Sequence, residues 1–157
     1  EAEIIANDGN WALTGKTADR NEHVITSLEL DPYAQERFNE KLIAKYAKIR
    51  ENEVRYEEFM TEDADYVIVA FGSAAGHKVG LVRPITLYPF PTQVLHDLAA
   101  RGVKGFLSAE LNHGQMVEDV RLAVNGQAPV EHYGRSGGAV FSPDQVYEAL
   151  LTKIINK

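Results

Sequence analysis

Short apolar runs that lack polar–apolar alternation limit the folds open to this chain more than any other feature of its sequence. These runs occupy residues 66–72 (YVIVAFG), 78–83 (KVGLVR) and 103–111 (VKGFLSAEL), and a fourth strand is predicted at residues 129–134 (PVEHYG). Strands with apolar residues on both faces are typical of a sheet that is covered on both sides. The pattern therefore favours a parallel sheet buried between helices.

Amphipathic helices are predicted before, between and after these strands. A long helix begins at Asp31 as its cap and Pro32 as its first residue. Its apolar residues recur at spacings of four and three, and they are Ala34, Phe38, Leu42, Tyr46 and Ile49. Three more helices are predicted at residues 91–102, 115–126 and 142–155, the last opened by a capping box of Ser142 and Gln145. The alternation predicts an α/β fold with an open, mostly parallel sheet flanked by helices.

Length, composition and charge describe one ordinary globular domain with an extended arm. The chain has 157 residues and a net charge of −7. We predict a linker or arm at residues 1–30, which are rich in Gly, Asn and Asp, and an α/β domain at residues 31–157. The acidic charge disfavours nucleic acid and anionic membranes as partners, and no run is apolar and long enough to cross a bilayer. With no signal-peptide pattern, we expect a cytoplasmic protein that binds neither nucleic acid nor membrane.

The connection between the first two predicted strands is too short for the predicted fold. Only residues 73–77 separate them, whereas a parallel crossover needs about a dozen residues or more. Either the two strands form an antiparallel hairpin, or the sequence omits a helix. We favour the second interpretation and place the missing helix between Ala75 and Gly76.

Polar residues follow the predicted strands at the edge where ligands bind in open parallel sheets. These candidate binding residues are Arg83, Asn112, His113, Gly114, Gln115 and Arg135, together with Glu110 at the end of its strand. The helix that begins near Gln115 presents backbone N–H groups suited to an anion. The alternative is that Arg83, Glu110 and Arg135 are ion-paired across the edge, and that residues 112–115 are a turn followed by a helix start.

The residues alone are compatible with an anion-binding module or a hydrolase, and they exclude chemistry that needs cysteine. A free-standing module that binds a small anion is one hypothesis, and a hydrolase that uses Glu110 and His113 is a weaker one. The loop of residues 134–138 (GRSGG) could cradle phosphate or be a flexible surface loop. The sequence has no cysteine, which excludes a thiol nucleophile and cysteine-held metal within the chain. The five histidines are scattered, so we predict no metal site and assign no catalytic residue.

Three segments resemble a known family. Residues 79–91 (VGLVRPITLYPFP), 110–124 (ELNHGQMVEDVRLAV) and 129–138 (PVEHYGRSGG) are similar, in this order, to segments of 2-oxoacid:ferredoxin oxidoreductases. Together they resemble the C-terminal, transketolase-C-terminal-like domain of the α subunit, and the 2-oxoisovalerate (branched-chain) type is the most similar. In that family a helix follows the segment that resembles FGSAA, which agrees with the omission inferred above.

The resemblance implies that this chain belongs to a larger enzyme. Such complexes convert a 2-oxoacid and coenzyme A into an acyl-CoA and carbon dioxide and pass electrons to ferredoxin. Thiamine diphosphate, Mg²⁺ and iron–sulfur clusters are implied for the whole complex, and no cofactor is expected in this fragment. The partners implied are the other subunits, ferredoxin and coenzyme A. The resemblance thus favours a non-catalytic assembly domain, inactive by itself.

Overall fold

The computed structural model describes residues 28–70 and 78–157. Its five-stranded sheet has the order β1-β3-β2-β4-β5, in which β2, β3, β4 and β5 are parallel and β1 runs antiparallel to β3. The strands are β1 (Tyr56–Phe59), β2 (Tyr66–Ala70), β3 (Val79–Pro84), β4 (Gly105–Glu110) and β5 (Val130–Gly134). The predicted α/β fold with an open, mostly parallel sheet is confirmed.

The described residues form four α-helices. They are α1 (Pro32–Asn52), α2 (Thr92–Ala100), α3 (Met116–Val124) and α4 (Pro143–Leu150), and α4 continues as a π-helical segment, Leu151–Ile155. The capping box of Ser142 and Gln145 is present at the start of α4. None of the helices in the described ranges is both long and apolar enough to span a bilayer.

The apolar core lies in two layers, one on each side of the sheet. On one side, Val67, Val69, Val82 and Phe106 pack against α2 and α3. On the other side, Ile68, Leu81, Leu107 and Ala109 pack against α4. Burial of alternate residues on opposite faces is what the unbroken apolar runs predicted, because successive side chains of a strand point to opposite sides. The predicted apolar residues of α2 (Val94, Leu95, Leu98) and of α3 (Met116, Val117, Val120, Val124) are buried.

The long helix α1 forms where its cap and stripe predicted it, but none of its residues is buried. Phe38 is 53% exposed and Tyr46 is 41% exposed, although both belong to the predicted apolar stripe. The chain divides into two compact units after Ile43, and the whole sheet with α2, α3 and α4 lies in the second, Ala44–Lys157. The stripe therefore made the helix recognisable without showing what it packs against.

Strand β1 was missed, because its sequence (YEEF) is acidic and short. Its antiparallel register with β3 pairs Glu57 with Arg83, and the carboxylate and guanidinium are 2.8 Å apart. Charged residues on a short edge strand discourage pairing with another chain, so the acidic composition suits the edge position. No strand pattern is recognisable at these residues, because an edge strand does not need an apolar run.

The antiparallel alternative for the first two predicted strands is wrong, because β2 and β3 are parallel neighbours from Tyr66 opposite Val79 to Val69 opposite Val82. The predicted omission between Ala75 and Gly76 falls in residues 71–77, and most of the predicted N-terminal arm falls in residues 1–27. Both segments lie outside the described residues. The omission and the arm stay predictions.

Candidate functional site

The carboxyl ends of β3, β4 and β5 lie at one edge of the sheet, because the three strands are parallel within it. Arg83 is the next-to-last residue of β3, Glu110 is the last of β4, and Arg135 follows β5 directly. The backbone N–H of Arg135 donates to the carbonyl oxygen of Glu110 at 3.3 Å. The edge expected from the sequence therefore exists and carries these residues.

These three charged residues do not form the ion-pair network that the sequence suggested. Arg83 pairs with Glu57 on β1, and both side chains are substantially exposed. The Arg135 guanidinium donates to the carbonyl oxygen of Val140 at 2.9 Å and to Oε1 of Gln145 at 3.4 Å. Each arginine therefore stabilises a neighbouring strand or loop, and the interpretation of mutual pairing was wrong.

Glu110 is the buried centre of this edge. Only 3% of its surface is exposed. Its Oε2 accepts the backbone N–H groups of Gln115 at 3.0 Å and Met116 at 2.8 Å, and its Oε1 accepts that of Val117 at 2.9 Å. The Ser108 hydroxyl donates to Oε1 at 3.0 Å. Because the first N–H groups of a helix have no partner within it and carry its positive dipole end, this carboxylate caps α3 from the preceding strand.

The pKa of Glu110 follows from this environment. Burial alone would raise it, but the backbone N–H groups of Met116, Gln115 and Val117 and the Ser108 hydroxyl outweigh burial and hold the pKa of Glu110 below its ordinary value. Glu110 is thus a carboxylate at neutral pH and a poor proton donor. Its own oxygens fill the helix N-terminus where an external anion was expected, so the geometry does not favour the anion-binding hypothesis at this position.

The loop between β4 and α3 is a compact turn. Asn112 Oδ1 accepts the N–H groups of Gly114 at 2.7 Å and Gln115 at 3.0 Å, a side-chain-stabilised turn typical of asparagine. Gly114 has a φ of 102°, which favours glycine, and Gln115 is the N-cap residue of α3. His113 is exposed. Asn112, Gly114 and Gln115 are therefore explained by turn and helix-start chemistry.

Sequence reasoning missed His132, the histidine that does approach Glu110. His132 lies opposite Ser108 in the β4–β5 register, and its Nε2 is 3.7 Å from Glu110 Oε1. This Nε2 is buried and has no hydrogen-bond partner among residues 28–70 and 78–157. The signal was the two-residue strand period, which places Ser108 and Glu110 on one face of β4 and His132 beside them on β5. The pairing of Glu110 with His113 in the hydrolase hypothesis is not what the structure shows.

At the same edge, the backbone at Gly134 packs closely against the backbone of Asn112. A β-carbon at Gly134 would lie 2.1 Å from the Asn112 carbonyl oxygen and 2.6 Å from the His132 ring. The loop that follows, residues 134–138, is tied to the α4 start through Arg135. In the described ranges no group of three or more His, Cys, Asp or Glu side chains could hold a metal ion. The polar residues at this edge therefore hold the β4–α3 loop, the loop of residues 134–138 and the start of α3 in place.

Comparison with known proteins agrees with this architecture. Residues 73–146 match the family model described as pyruvate:ferredoxin oxidoreductase core domain II. The chain is 44% identical to the ketoisovalerate oxidoreductase subunit VorB of Methanothermobacter marburgensis, over 83% of this chain and 40% of the relative. It is 41% identical to VorB of Methanothermobacter thermautotrophicus, over 91% of this chain and 44% of that protein.

More distant relatives have names of the same kind. The chain is 31% identical to the pyruvate synthase subunit PorA of Pyrococcus furiosus, over 72% of this chain and 32% of the relative. It is 26% identical to the 2-oxoglutarate synthase subunit KorA of Methanothermobacter marburgensis, over 88% of this chain and 40% of the relative. In each case the chain spans less than half of the relative's length. The fold and these matches agree with the resemblance seen in the sequence, and the chain belongs to the family of 2-oxoacid:ferredoxin oxidoreductase subunits.

Proposed function

We propose that this chain is the C-terminal assembly domain of the α subunit of a 2-oxoacid:ferredoxin oxidoreductase, with 2-oxoisovalerate as the substrate of the whole enzyme. The reaction joins the acyl group of the 2-oxoacid to coenzyme A, releases its carboxyl group as carbon dioxide, and passes two electrons to ferredoxin. The names of the relatives with 41–44% identity support the choice of substrate. The domain itself takes no part in bond making or breaking.

One observation carries the non-catalytic assignment. At the sheet edge where an α/β enzyme would place its reacting groups, the buried carboxylate of Glu110 is hydrogen-bonded to three backbone N–H groups and a hydroxyl. A general base must be able to reach a substrate proton, and this carboxylate is 3% exposed. Its hydrogen bonds stabilise the β4–α3 connection, which is a structural task.

The iron–sulfur clusters of such an enzyme do not fit this sequence, and the described residues offer no acidic group for its Mg²⁺. Iron–sulfur clusters are bound by cysteine thiolates, and the sequence contains none. A Mg²⁺–diphosphate site needs oxygen ligands close together, and the described residues offer no such acidic group. We therefore place thiamine diphosphate, Mg²⁺ and the clusters on other parts of the complex.

Other subunits, ferredoxin and coenzyme A are the partners that this proposal implies, and the cytoplasm is the compartment we propose. The subunit names of the relatives support the first of these. The alternative of a free-standing anion-binding module has less support, because Glu110 already occupies the α3 start and Arg135 is bound to Val140.

The test is to assemble the subunit that contains this chain with its companion subunits and to measure coenzyme A-dependent reduction of ferredoxin. We expect activity with 2-oxoisovalerate to exceed activity with 2-oxoglutarate or pyruvate, and no turnover by the isolated chain. An Arg135→Ala variant of the isolated chain, titrated with inorganic phosphate, tests the alternative. Turnover by the isolated chain, or phosphate binding lost in Arg135→Ala, would overturn the assignment.

A further inference from the structure

The β3–α2 connection exposes apolar side chains in a group. Ile85 is 51% exposed, Leu87 is 56% exposed and Tyr88 is 60% exposed. We call Ile85, Leu87 and Tyr88 the apolar patch. Contiguous exposed apolar surface is rare on soluble proteins and marks sites of interaction, whereas single exposed apolar residues need no explanation.

The backbone around the apolar patch is held in one conformation. The Thr86 hydroxyl accepts the backbone N–H of Arg55 at 3.0 Å and donates to the carbonyl oxygen of Pro89 at 3.0 Å. The N–H of Ile85 donates to the carbonyl oxygen of Arg55 at 2.9 Å. The Tyr88 ring packs edge-on against Tyr46 of α1, with 6.1 Å between centroids. A surface that is already ordered loses little conformational entropy when a partner binds.

A cleft of about 420 Å³ opens beside the apolar patch. Its principal lining residues are Arg50, Tyr56, Leu87, Tyr88, Phe90 and Asp119. The wall is largely aromatic and aliphatic, with one cation at the end of α1. A concave apolar site next to an exposed apolar surface accepts an anchoring side chain from a partner protein, and such anchors supply most of the affinity of an interface.

Three cations near the end of α1 make no ion pair with any residue that the structure describes. Among residues 28–70 and 78–157, no carboxylate lies within ion-pair distance of Lys45, Lys48 or Arg50, which lie on the last two turns of α1 around Tyr46. Asp119 lines the same cleft without pairing with Arg50. Arg50 and Asp119 balance each other within the cleft lining, while Lys45 and Lys48 on the same helix outnumber Glu51. In a chain whose net charge is −7, this small positive excess beside the cleft is complementary to an acidic surface.

We propose that the apolar patch and its cleft form the docking surface for a companion subunit of the oxidoreductase, one whose contacting segment carries an apolar side chain flanked by carboxylates. The apolar side chain enters the cleft, and a carboxylate pairs with Arg50. This proposal rests on the proposed function, since it takes the partner from the same enzyme complex. A second copy of the chain fits less well, because a two-fold contact through this surface would bring Arg50 and the two lysines against their own copies.

The experiment compares two matched pairs of variants in the full subunit, assembled with its companion subunits. Arg50→Glu is paired with Arg101→Glu, because both arginines are exposed and lie at helix C-termini, so the charge change costs each helix a similar amount. Leu87→Ser is paired with Leu122→Ser, because Leu87 is 56% exposed and Leu122 is 76% exposed on α3. The dissociation constant of the complex is measured at low and high salt, and thermal unfolding of each isolated subunit shows whether it is folded.

We expect Arg50→Glu and Leu87→Ser each to weaken association by about tenfold or more, with the Arg50 effect reduced at high salt, while both controls bind as wild type does. Hydrogen exchange at residues 85–91 should slow only when the companion subunits bind. Equal binding by all four folded variants would overturn this docking surface and leave the proposed function intact. Failure of the wild-type subunit to assemble at all would overturn the proposed function itself.

Two further results would assign the surface to a different occupant. Dimerisation of the isolated subunit that Leu87→Ser abolishes, measured by sedimentation, would place a second copy on the apolar patch. Slow hydrogen exchange at residues 85–91 in the free, monomeric subunit would place another part of the same polypeptide there. Either result would contradict docking of a companion subunit.

Discussion

Two strand-to-helix connections at the same edge of the sheet differ in two respects. They differ in whether side chains accept the N–H groups at the helix start, and in how many apolar side chains are exposed. In the β4–α3 connection, Glu110 and Asn112 accept the N–H groups at the helix start, and the carboxylate is buried. In the β3–α2 connection, the N-cap position is Pro91, whose side chain makes no capping hydrogen bond, and the neighbouring Leu87 and Tyr88 are exposed. The first connection uses its polar groups within the domain and exposes one large apolar side chain, Leu111, whereas the second exposes Ile85, Leu87 and Tyr88 together.

The difference separates groups that stabilise the fold from groups available to a partner. Polar residues at the β4–α3 connection resembled a ligand site in the sequence, yet their hydrogen-bonding capacity is used internally. The sequence predicts no candidate site residue between Ile85 and Phe90, yet Ile85, Leu87 and Tyr88 of this connection lie on the surface. Changes at the first connection should therefore alter stability of the isolated chain, and changes at the second should alter assembly. Four predictions test this comparison.

The largest effect is expected from Glu110→Ala. The change removes the acceptor of three backbone N–H groups and the Ser108 hydroxyl, so several buried donors lose their partner. We expect the free energy of unfolding to fall by about 4 kcal/mol, measured by urea denaturation. Glu118→Ala is the control, because Glu118 lies in the first turn of α3, the helix start that Glu110 caps, and its side chain is 66% exposed. Its loss should cost less than about 1 kcal/mol. Similar losses for both variants would remove the distinction between the two connections.

The next effect is steric. In Gly134→Ala the new methyl group would meet the Asn112 carbonyl oxygen at 2.1 Å, and this backbone atom is fixed by the turn. In Gly105→Ala the nearest atom is a methyl group of Ile154, a side chain that can move. We expect a cost of about 2–3 kcal/mol for Gly134→Ala and about 1 kcal/mol for Gly105→Ala in thermal unfolding. The reverse order would show that the Asn112 turn yields easily.

The acid sensitivity of the chain should depend on Glu110. Because the pKa of Glu110 is lower in the folded than in the unfolded chain, the unfolded chain binds more protons in the acidic range, and stability rises with pH there. This contribution is complete above the ordinary pKa of 4.5 and is lost as the pH falls through the folded value. We expect Glu110→Gln to flatten the dependence of unfolding free energy on pH in this range.

Asp119 should affect the dependence of unfolding free energy on pH in the opposite direction to Glu110, and its variant refines that measurement. Burial, followed by the charges of Glu110 and Glu118, raises the pKa of Asp119, so its protonation on acidification offsets part of the loss. The Asp119→Asn variant should therefore show a steeper fall of stability than wild type does as the pH falls from the raised pKa of Asp119 to its ordinary value of 3.8. If Glu110→Gln and wild type lost stability in parallel, another carboxylate would control the acid response.

The smallest effect is expected from Leu87→Ser in the isolated chain. Leu87 is 56% exposed, so we expect the free energy of unfolding to change by less than about 0.5 kcal/mol. Leu107→Ser on β4, where the leucine is fully buried, should cost about 3 kcal/mol or more because it buries a hydroxyl and leaves a cavity. A large loss in Leu87→Ser would mean that the apolar patch belongs to the core of this domain.

The sequence predicted elements that depend on local or repeated patterns. The parallel strands followed from apolar runs that need cover on both faces, and the α4 start followed from Ser142, Pro143 and Gln145, which lie within one turn. The edge strand β1 could not be predicted in this way, because its pairing with β3 through Glu57 and Arg83 joins residues 26 positions apart. The partner of a charged residue depends on which strands become neighbours.

The candidate site residues likewise divide into features that local sequence predicts and features that depend on tertiary neighbours. By itself the sequence determined that Glu110 ends a strand, that Asn112 and Gly114 form a turn and that a helix begins near Gln115, since each depends on backbone preferences of nearby residues. Only the tertiary structure decided that Glu110 folds back onto the α3 start, that His132 lies beside it, and that Leu87 and Tyr88 remain exposed. Hydrogen bonds and burial depend on the distance between atoms in space, and the order of residues along the chain does not fix that distance.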